Sequence, residues 1–323
     1  MSSRLPAQGD AWPALPLAAW QDTYETLHMW TQIAGKVRMK LTPLINHYWN
    51  ATLYVSPRGL TTSAIPYADG IFAMEFDFAG HKLTIETSAG DVRALDLAPR
   101  TVADFYAELM STLAALHIDV QITARPDEVA NPIPFAEDTT HKSYDRESVE
   151  RFHRLLISVD QVLKQFRSRF IGKCSPVHFF WGSFDLAVTR FSGRIAPPRS
   201  DVQYAEMMRE AYSHEVSSAG FWPGGGGIPG PAFYSYTTPE PAGFKAAAVL
   251  PQRAFYHPKL AEFLLLYDDI RGAASPDSEL LSFLQSSYEA GANLAQWDRS
   301  ALERSVDNRT SAGGLTWLKA VRI

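Results

Sequence analysis

Apolar residues recur at helical spacing in several long segments of the chain. Between residues 16 and 39, for example, Trp20, Leu27 and Trp30 share one face with Ile33 and Val37. Thr101, followed by Asp104, has the spacing of a capping box at the start of another such segment. The pattern predicts helices over residues 16–39, 101–116, 146–172, 202–212 and 277–294.

Other segments alternate apolar and polar residues, which is the period of a half-buried strand. In residues 71–78, phenylalanine and methionine alternate with alanine and acidic residues, and Gly80 then marks a turn toward an antiparallel partner. The same reasoning predicts strands over residues 48–55, 71–78, 81–87, 119–123, 177–188, 215–221, 233–237 and 262–267.

The elements divide into two halves. Residues 125–145 hold three prolines among charged residues without a clear period, which is typical of a linker on the surface. We therefore predict an N-terminal α+β half at 1–124, a Pro-rich linker at 125–145 and a C-terminal α+β half at 146–323. Each half is expected to be a mainly antiparallel sheet covered by a long first helix and a closing helix.

The two halves also show a residue-level match that favours an internal duplication. Lys40-Leu41-Thr42-Pro43 matches Lys173-Cys174-Ser175-Pro176, and His47-Tyr48-Trp49 then matches His178-Phe179-Phe180 after a short loop difference. Helix periodicity is common, so two unrelated helix-strand segments are the alternative explanation. The proline matches are equally well explained by a turn that ends a helix and begins a strand.

Composition and charge exclude several broad classes of protein. The chain has 323 residues, 46% of them hydrophobic, and a formal net charge of -5, which gives no electrostatic reason to bind nucleic acid or an anionic membrane. The first residues lack the apolar run of a signal peptide, and no segment approaches the length of a membrane span. We expect a cytoplasmic protein of bacterial type. Its single cysteine, Cys174, excludes an internal disulfide and any multi-cysteine metal site.

A long central motif resembles a known family. Residues 172–187 read GKCSPVHFFWGSFDLA, residues 12–16 read WPALP, and residues 212–224 read YSHEVSSAGFWPG. Together they resemble a family of uncharacterised bacterial proteins known only as a domain of unknown function. The resemblance covers nearly the whole chain, and it implies no activity, cofactor or catalytic residue.

Several familiar catalytic motifs are missing from the sequence. The glycine-lysine pair at 172–173 ends a predicted helix, whereas a phosphate loop begins one, and no Gly-x-Ser-x-Gly or His-Glu-x-x-His motif occurs. Cys174 and His178 are four residues apart, but Pro176 interrupts any helix that would bring them together. A buried, inert thiol is therefore the favoured interpretation of Cys174.

Charged and imidazole groups concentrate within the most aromatic segments. The ligand-binding candidates are His178, Asp185, Arg190, His214, Glu215, His47 and Trp181. On one regular strand Asp185 has the opposite parity to His178, so the two reach one pocket only if Gly182 introduces a bulge. A buried network that satisfies an aromatic core is the competing explanation for the group.

These observations lead to two hypotheses about function. The first is a small-molecule-binding protein, with enzymatic activity as an option, whose aromatic pocket carries His178, His214, Arg190 and Glu215 in one cavity without a metal. The second is a non-catalytic module that binds either a protein partner or a second copy of itself, and the latter would give a homo-oligomer. Neither the ligand nor any cofactor follows from the sequence.

Overall fold

We describe the chain from a computed structural model, over residues 11–68, 70–198, 205–225 and 228–304. The helices are α1 (Leu17–Leu41), α2 (Val102–Ala115), α3 (Arg146–Ser168), α4 (Ala205–Ala211), α5 (Tyr267–Ile270), α6 (Pro276–Leu294) and α7 (Arg299–Leu302). The strands are β1 (Thr52–Val55), β2 (Gly59–Thr61), β3 (Ile65–Tyr67), β4 (Gly70–Asp77), β5 (Lys82–Thr87), β6 (Val92–Asp96), β7 (His178–Phe180), β8 (Asp185–Ile195), β9 (His214–Trp222), β10 (Ala232–Thr238), β11 (Phe255–His257) and β12 (Glu262–Leu266).

In the described part of the chain, twelve strands form one sheet whose pairings are antiparallel. The strand order is β11-β12-β10-β9-β8-β7-β1-β2-β4-β5-β6, and β3 pairs with β4 beside this path. The two halves of the chain meet at β1 and β7, where Thr52 pairs with Phe180 and Leu53 with Phe179. The protein is therefore an α+β fold, as the sequence predicts.

Four helices, α2, α1, α3 and α6, pack side by side against one face of this sheet. Their apolar stripes meet the inward residues of the strands in the main core, where the Trp30 ring stacks on Phe105 with ring centroids 4.8 Å apart. Phe152 of α3 and Phe179 of β7 pack edge to face in the same layer. Burial of this face explains why the long helices carry the strongest periodicity in the sequence.

The opposite face, which we call the outer face, differs between the two halves. On β4 and β5 it carries Glu75, Thr84 and other residues that remain in contact with solvent. On β8, β9, β10 and β12 it carries a second apolar cluster that includes Ala187, Tyr234 and Leu264. The C-terminal half of the sheet is therefore covered on both faces, which the consecutive aromatics of its strands require.

Several predicted elements differ from the structure. Residues 119–123 form no strand, and residues 177–188 form a hairpin of β7 and β8 rather than a single strand. The hairpin turns at Trp181–Phe184, where Phe184 adopts a left-handed φ of 56°. The short strands β2, β3, β6 and β11 were missed, because three to five residues give too little alternation to detect. Residues 202–204, at the start of the predicted 202–212 helix, lie outside the described residues.

The segment between the halves is ordered by contacts with both. Among its residues, Phe135 is buried, Asp127 forms an ion pair with Lys36 of α1, and Glu128 lies against Gly182 of the β7–β8 turn. The sheet runs continuously across the two halves through β1 and β7. The division at 125–145 stays a prediction, and so does the internal duplication.

Among the described helices, none combines the length and the apolar composition that crossing a bilayer requires.

Candidate functional site

A partly enclosed cavity of about 230 Å³ lies on the outer face of the C-terminal half. Its floor is formed by alternate residues of neighbouring strands, because residues i and i+2 of a strand point to the same face. From β8 these are Asp185, Ala187, Thr189 and Phe191. Phe180 of β7, Val216 and Ser218 of β9, and Tyr234 and Tyr236 of β10 complete the floor.

The cavity is covered by segments that lie outside the sheet. Helix α4 contributes Met207, Met208 and Ala211, followed by Tyr212, and the turn before β1 contributes His47 and Trp49. Ser183 and Glu128 close the side nearest the β7–β8 turn. As far as the chain is described, the cavity therefore has aromatic walls with carboxyl and hydroxyl groups set among them.

Asp185 is the most buried charged group of the cavity, at 7% exposed. Its carboxylate accepts hydrogen bonds from the hydroxyls of Ser183 and Tyr234, one on each oxygen. Burial raises the pKa of Asp185, and the two hydrogen bonds oppose that rise. Burial also raises the pKa of Tyr234 well above its ordinary value, so its hydroxyl stays a donor.

Two further carboxyl groups lie close enough to Asp185 to feel its charge. Glu128, at the cavity rim, has a pKa raised to about 7, first by burial and then by the charges of Asp185 and Asp127. Glu262 of β12 has a pKa raised to about 7 by burial and by Asp185. Two carboxyl groups beside Asp185, those of Glu128 and Glu262, therefore titrate near neutral pH.

Hydroxyl groups continue across the floor away from Asp185. The Tyr234 and Tyr236 rings stack with centroids 6.1 Å apart, and the Tyr236 hydroxyl lies 2.8 Å from that of Tyr212. The Thr189 and Ser218 hydroxyls are 2.9 Å apart on the adjoining strands. Each of these hydroxyls has a neighbouring oxygen to bond with, so the polar part of the wall is set in place before any ligand enters.

His47 occupies the end of the cavity opposite Asp185. Its Nδ1 lies 3.1 Å from the carbonyl oxygens of Glu210 and Ala211, so Nδ1 carries the proton and donates. Its Nε2 then accepts a hydrogen bond from Lys173 Nζ at 2.6 Å. Burial and the neighbouring Lys173 charge lower the pKa of His47, which favours this neutral form.

His178 lies on the outer face but outside the cavity lining. Trp49, Tyr54 and Phe180 surround its imidazole with ring centroids 5.5 to 5.6 Å away. The side chain is 1% exposed, and neither ring nitrogen has a hydrogen-bond partner among the described residues. Burial, with smaller contributions from the Arg38 and Arg167 charges, lowers the pKa of His178 to about 3.

Arg190 and Glu215 lie on the other side of the sheet from the cavity. The Arg190 guanidinium is sandwiched in the helix layer, with its carbon 3.4 Å from the Phe166 ring centroid and 4.3 Å from that of Tyr288. Glu215 forms a 2.6 Å ion pair with Arg194. Both residues fall at strand positions whose side chains point away from the cavity floor.

The two remaining candidates lie near the cavity but do not line it. His214, at the start of β9, has its ring centroid 5.9 Å from that of His47, and its Nδ1 lies 3.0 Å from the Ser213 hydroxyl. Trp181, in the β7–β8 turn, packs against Gly35 of α1 with the Lys36 ammonium 5.3 Å from its ring centroid. Of the candidates, Asp185 and His47 contribute to the wall.

The predicted convergence of His178, His214, Arg190 and Glu215 on one cavity is therefore wrong. His214 and Glu215 are consecutive in a strand, so their side chains point to opposite faces. The expected parity conflict between His178 and Asp185 is also wrong, because the chain reverses between them and Phe180 pairs directly with Asp185. No bulge at Gly182 is needed to bring the two to one face.

Most polar residues of the cavity wall are absent from the predicted site. Glu128 lies in the predicted linker, where nothing in the local pattern marks a functional residue. Tyr212, Tyr234 and Tyr236 contribute hydroxyl groups to the wall and are not among the predicted site residues. The alternation of tyrosines along β10 was the available signal, since it places two hydroxyl groups on one face.

Two other chemistries receive no structural support. Within the described ranges, no group of three or more histidine, cysteine or carboxylate side chains is arranged to hold a metal ion. Burial raises the pKa of Cys174 to about 11, so the thiol stays protonated at neutral pH and is a poor nucleophile.

Sequence comparison places the chain within a known family. A family of unknown function (DUF5996) matches residues 12–304, so the chain belongs to that family. No curated protein and no solved structure matches the chain.

Proposed function

We propose that this member of the DUF5996 family is a small-molecule-binding protein and that its ligand occupies the cavity around Asp185. The observation that carries the proposal is the buried carboxylate itself, which faces a 230 Å³ space with its two hydroxyl donors already in place. Placing a carboxyl group in a partly dry cavity costs stability. A ligand that bonds to it is a direct reason for retaining it.

The lining changes the expected chemistry of the pocket. The sequence suggested an aromatic pocket with histidine and arginine groups, whereas the described lining carries His47, two carboxyl groups and several tyrosine, serine and threonine hydroxyls. The proposed pocket keeps the expected aromatic walls, but its charged groups are carboxyl groups instead of the expected arginine. Glu128, whose pKa is raised to about 7, also has the property that a general acid–base catalyst needs near neutral pH.

A thermal-shift screen with a library of small polar and aromatic compounds tests the proposal. Compounds that bind the folded state raise the melting temperature by mass action, by an amount that increases with the ratio of the compound's concentration to its dissociation constant. We expect stabilising compounds for the wild type and none for Ala187→Leu, because Ala187 lies on the cavity floor and a leucine there fills the space. Ala73→Leu, on the outer face of β4 and away from the cavity, is the matched control.

The results separate binding in the cavity from other outcomes. Compounds that stabilise the Ala187→Leu variant as strongly as the wild type and Ala73→Leu bind elsewhere and contradict the proposal. A wild type that no compound stabilises contradicts it as well. Mass spectrometry of each bound compound after incubation then tests for enzymatic conversion. Light scattering of the same variants tests the alternative of self-association.

We also propose that the two halves arose by internal duplication. Support comes from the sheet, in which each half adds strands outward from the central β1–β7 pair, beginning with its own first strand behind its own long helix. His47 precedes β1 whereas His178 lies within β7, so the histidine match is not part of the proposal. Superposition of α1 and β1 on α3 and β7 tests it, and opposite helix directions relative to the strands contradict it.

A further inference from the structure

The cavity around Asp185 is acidic and, in its described lining, contains no lysine or arginine. The groups that bond to the Asp185 carboxylate, Ser183 and Tyr234, are neutral hydroxyls. Glu128 adds a second carboxyl group at the rim, and Glu262 adds a third within range of the Asp185 charge. His47, the one basic side chain in this lining, accepts at Nε2 from Lys173 and is held neutral.

A buried carboxylate without a counter-charge is unfavourable, because burial removes water and no opposite charge replaces it. Two changes reduce this free-energy cost: protonation of the carboxylate, or binding of a cation beside it. An anionic ligand adds a like charge beside Asp185 and makes the cost larger. Carboxylate and phosphate compounds are therefore poor matches for the cavity.

The walls of the cavity favour a particular kind of cation. Aromatic rings of Phe180, Tyr234 and Tyr236 line the space on the side of Asp185. The rings of Trp49 and Phe191, at the other end, already lie 5.6 and 4.9 Å from the Lys173 ammonium. The negative face of an aromatic ring attracts an ammonium group, and the attraction is stronger where water is excluded. A metal ion, by contrast, needs several oxygen or nitrogen ligands around one point, and no such cluster occurs in the described ranges.

From these features we infer that the ligand is a small organic amine in its ammonium form, bound with its cation against the Asp185 carboxylate and its carbon skeleton among the aromatic rings. The inference rests on the proposed function and names the class of its ligand. A volume of 230 Å³ is below the range of about 300–1,000 Å³ of cavities for drug-sized molecules. The amine is therefore compact, with a skeleton of about one ring.

Three probes of the same shape and different charge test the inference by titration calorimetry at pH 7.5. They are benzylammonium, benzyl alcohol and benzoate. We expect wild-type protein to bind benzylammonium at least about tenfold more tightly than benzyl alcohol, which corresponds to about 1.4 kcal/mol. Benzoate should bind most weakly of the three.

Variants then locate the origin of the charge preference. Asp185→Asn keeps the shape of the side chain and removes its charge, so the preference for benzylammonium over benzyl alcohol should disappear. Glu128→Gln, at the rim, should reduce the preference by a smaller factor and keeps the test valid if the first variant does not fold. Asp160→Asn, a buried carboxylate on α3 outside this cavity, should leave the preference unchanged.

The calorimetry tests the class of the ligand, whereas the library screen tests whether the cavity binds a ligand at all. Equal affinity for benzylammonium and benzyl alcohol, or a preference that survives both Asp185→Asn and Glu128→Gln, overturns the assignment of an amine ligand. Failure of all three probes to bind overturns it too. Because the library screen with Ala187→Leu uses compounds of every charge, it can succeed while the amine inference fails.

Discussion

Replacing His178 by phenylalanine should make the protein more stable than the wild type in mild acid. The imidazole is 1% exposed, is enclosed by the Trp49, Tyr54 and Phe180 rings, and has no hydrogen-bond partner among the described residues. Burial, reinforced by the charges of Arg38 and Arg167, lowers its pKa from 6.5 to about 3. The folded protein therefore holds this ring neutral at pH values where the unfolded chain protonates it.

The sign and size of the effect follow from proton linkage. Between pH 6.5 and 3 the unfolded state binds more protons at this position than the folded state, so stability falls as the pH falls. For these two pKa values, the contribution of His178 to the free energy of unfolding decreases by about 2 kcal/mol between pH 7 and pH 5. A phenyl ring does not titrate and loses nothing over the same interval.

At pH 7 the substitution should change the free energy of unfolding by no more than about 1 kcal/mol. It removes a buried polar group that lacks a partner, which favours the variant. It also adds a little volume to a packed aromatic cluster, which opposes it. The advantage of the variant over the wild type should therefore increase by about 2 kcal/mol from pH 7 to pH 5.

Urea unfolding at pH 7 and pH 5, at constant ionic strength, measures this difference through the fluorescence of the eight tryptophans. His117→Phe, at an exposed position beyond α2, is the control for replacing an imidazole by a phenyl ring. A difference between His178→Phe and the wild type that is the same at both pH values would refute the reasoning. So would a loss of more than about 3 kcal/mol at pH 7, which would indicate that a ring nitrogen makes a buried hydrogen bond.

Other predictions follow from burial and packing. Phe166→Ala should lower the free energy of unfolding by about 3–5 kcal/mol, because the ring is buried in the core. Lys164→Ala, on the exposed side of α3, should lower it by less than about 1 kcal/mol, and equal urea midpoints for the two variants would contradict the assigned helix face. Gly35→Ala should cost at least about 2 kcal/mol, because the added carbon collides with the Trp181 ring, and a melting temperature equal to that of the wild type would contradict this contact. Burial raises the folded-state pKa of Asp185 above its ordinary value of 3.8, so the folded state binds more protons than the unfolded state as the pH rises past that ordinary value. The stability of Asp185→Asn relative to the wild type should therefore increase in thermal melts as the pH rises above 3.8, and a constant difference would contradict the burial of a titrating carboxyl group.

Local sequence patterns determined the helices and the longer strands. Helices α1, α2, α3 and α6 begin and end within a few residues of their predicted bounds, because each buries one continuous apolar stripe. The Thr101 cap forms as predicted, with its side chain accepting from the Asp104 amide. Short strands such as β2 and β11 escaped detection, because three residues show too little alternation of apolar and polar positions to be recognised.

The candidate site could be predicted in part. Asp185 and His47 were identified from their position in aromatic segments, and both line the cavity. Arg190 also lies in an aromatic segment, but its position on β8 directs its side chain to the opposite face of the sheet. There the guanidinium packs between the Phe166 and Tyr288 rings of the helix layer. Reading residues 177–188 as a single strand hid the hairpin, and with it the direction in which each of these side chains points.

The sequence by itself determined the secondary-structure periods, the α+β class and the family to which the chain belongs. The tertiary structure decided which groups share the cavity. Asp185, Glu128 and Tyr212 come from a strand, an irregular segment and the residue after a short helix, and no local pattern links them. Periodicity is a property of neighbours along the chain, whereas a cavity and its charge are made by residues that meet after the chain has folded.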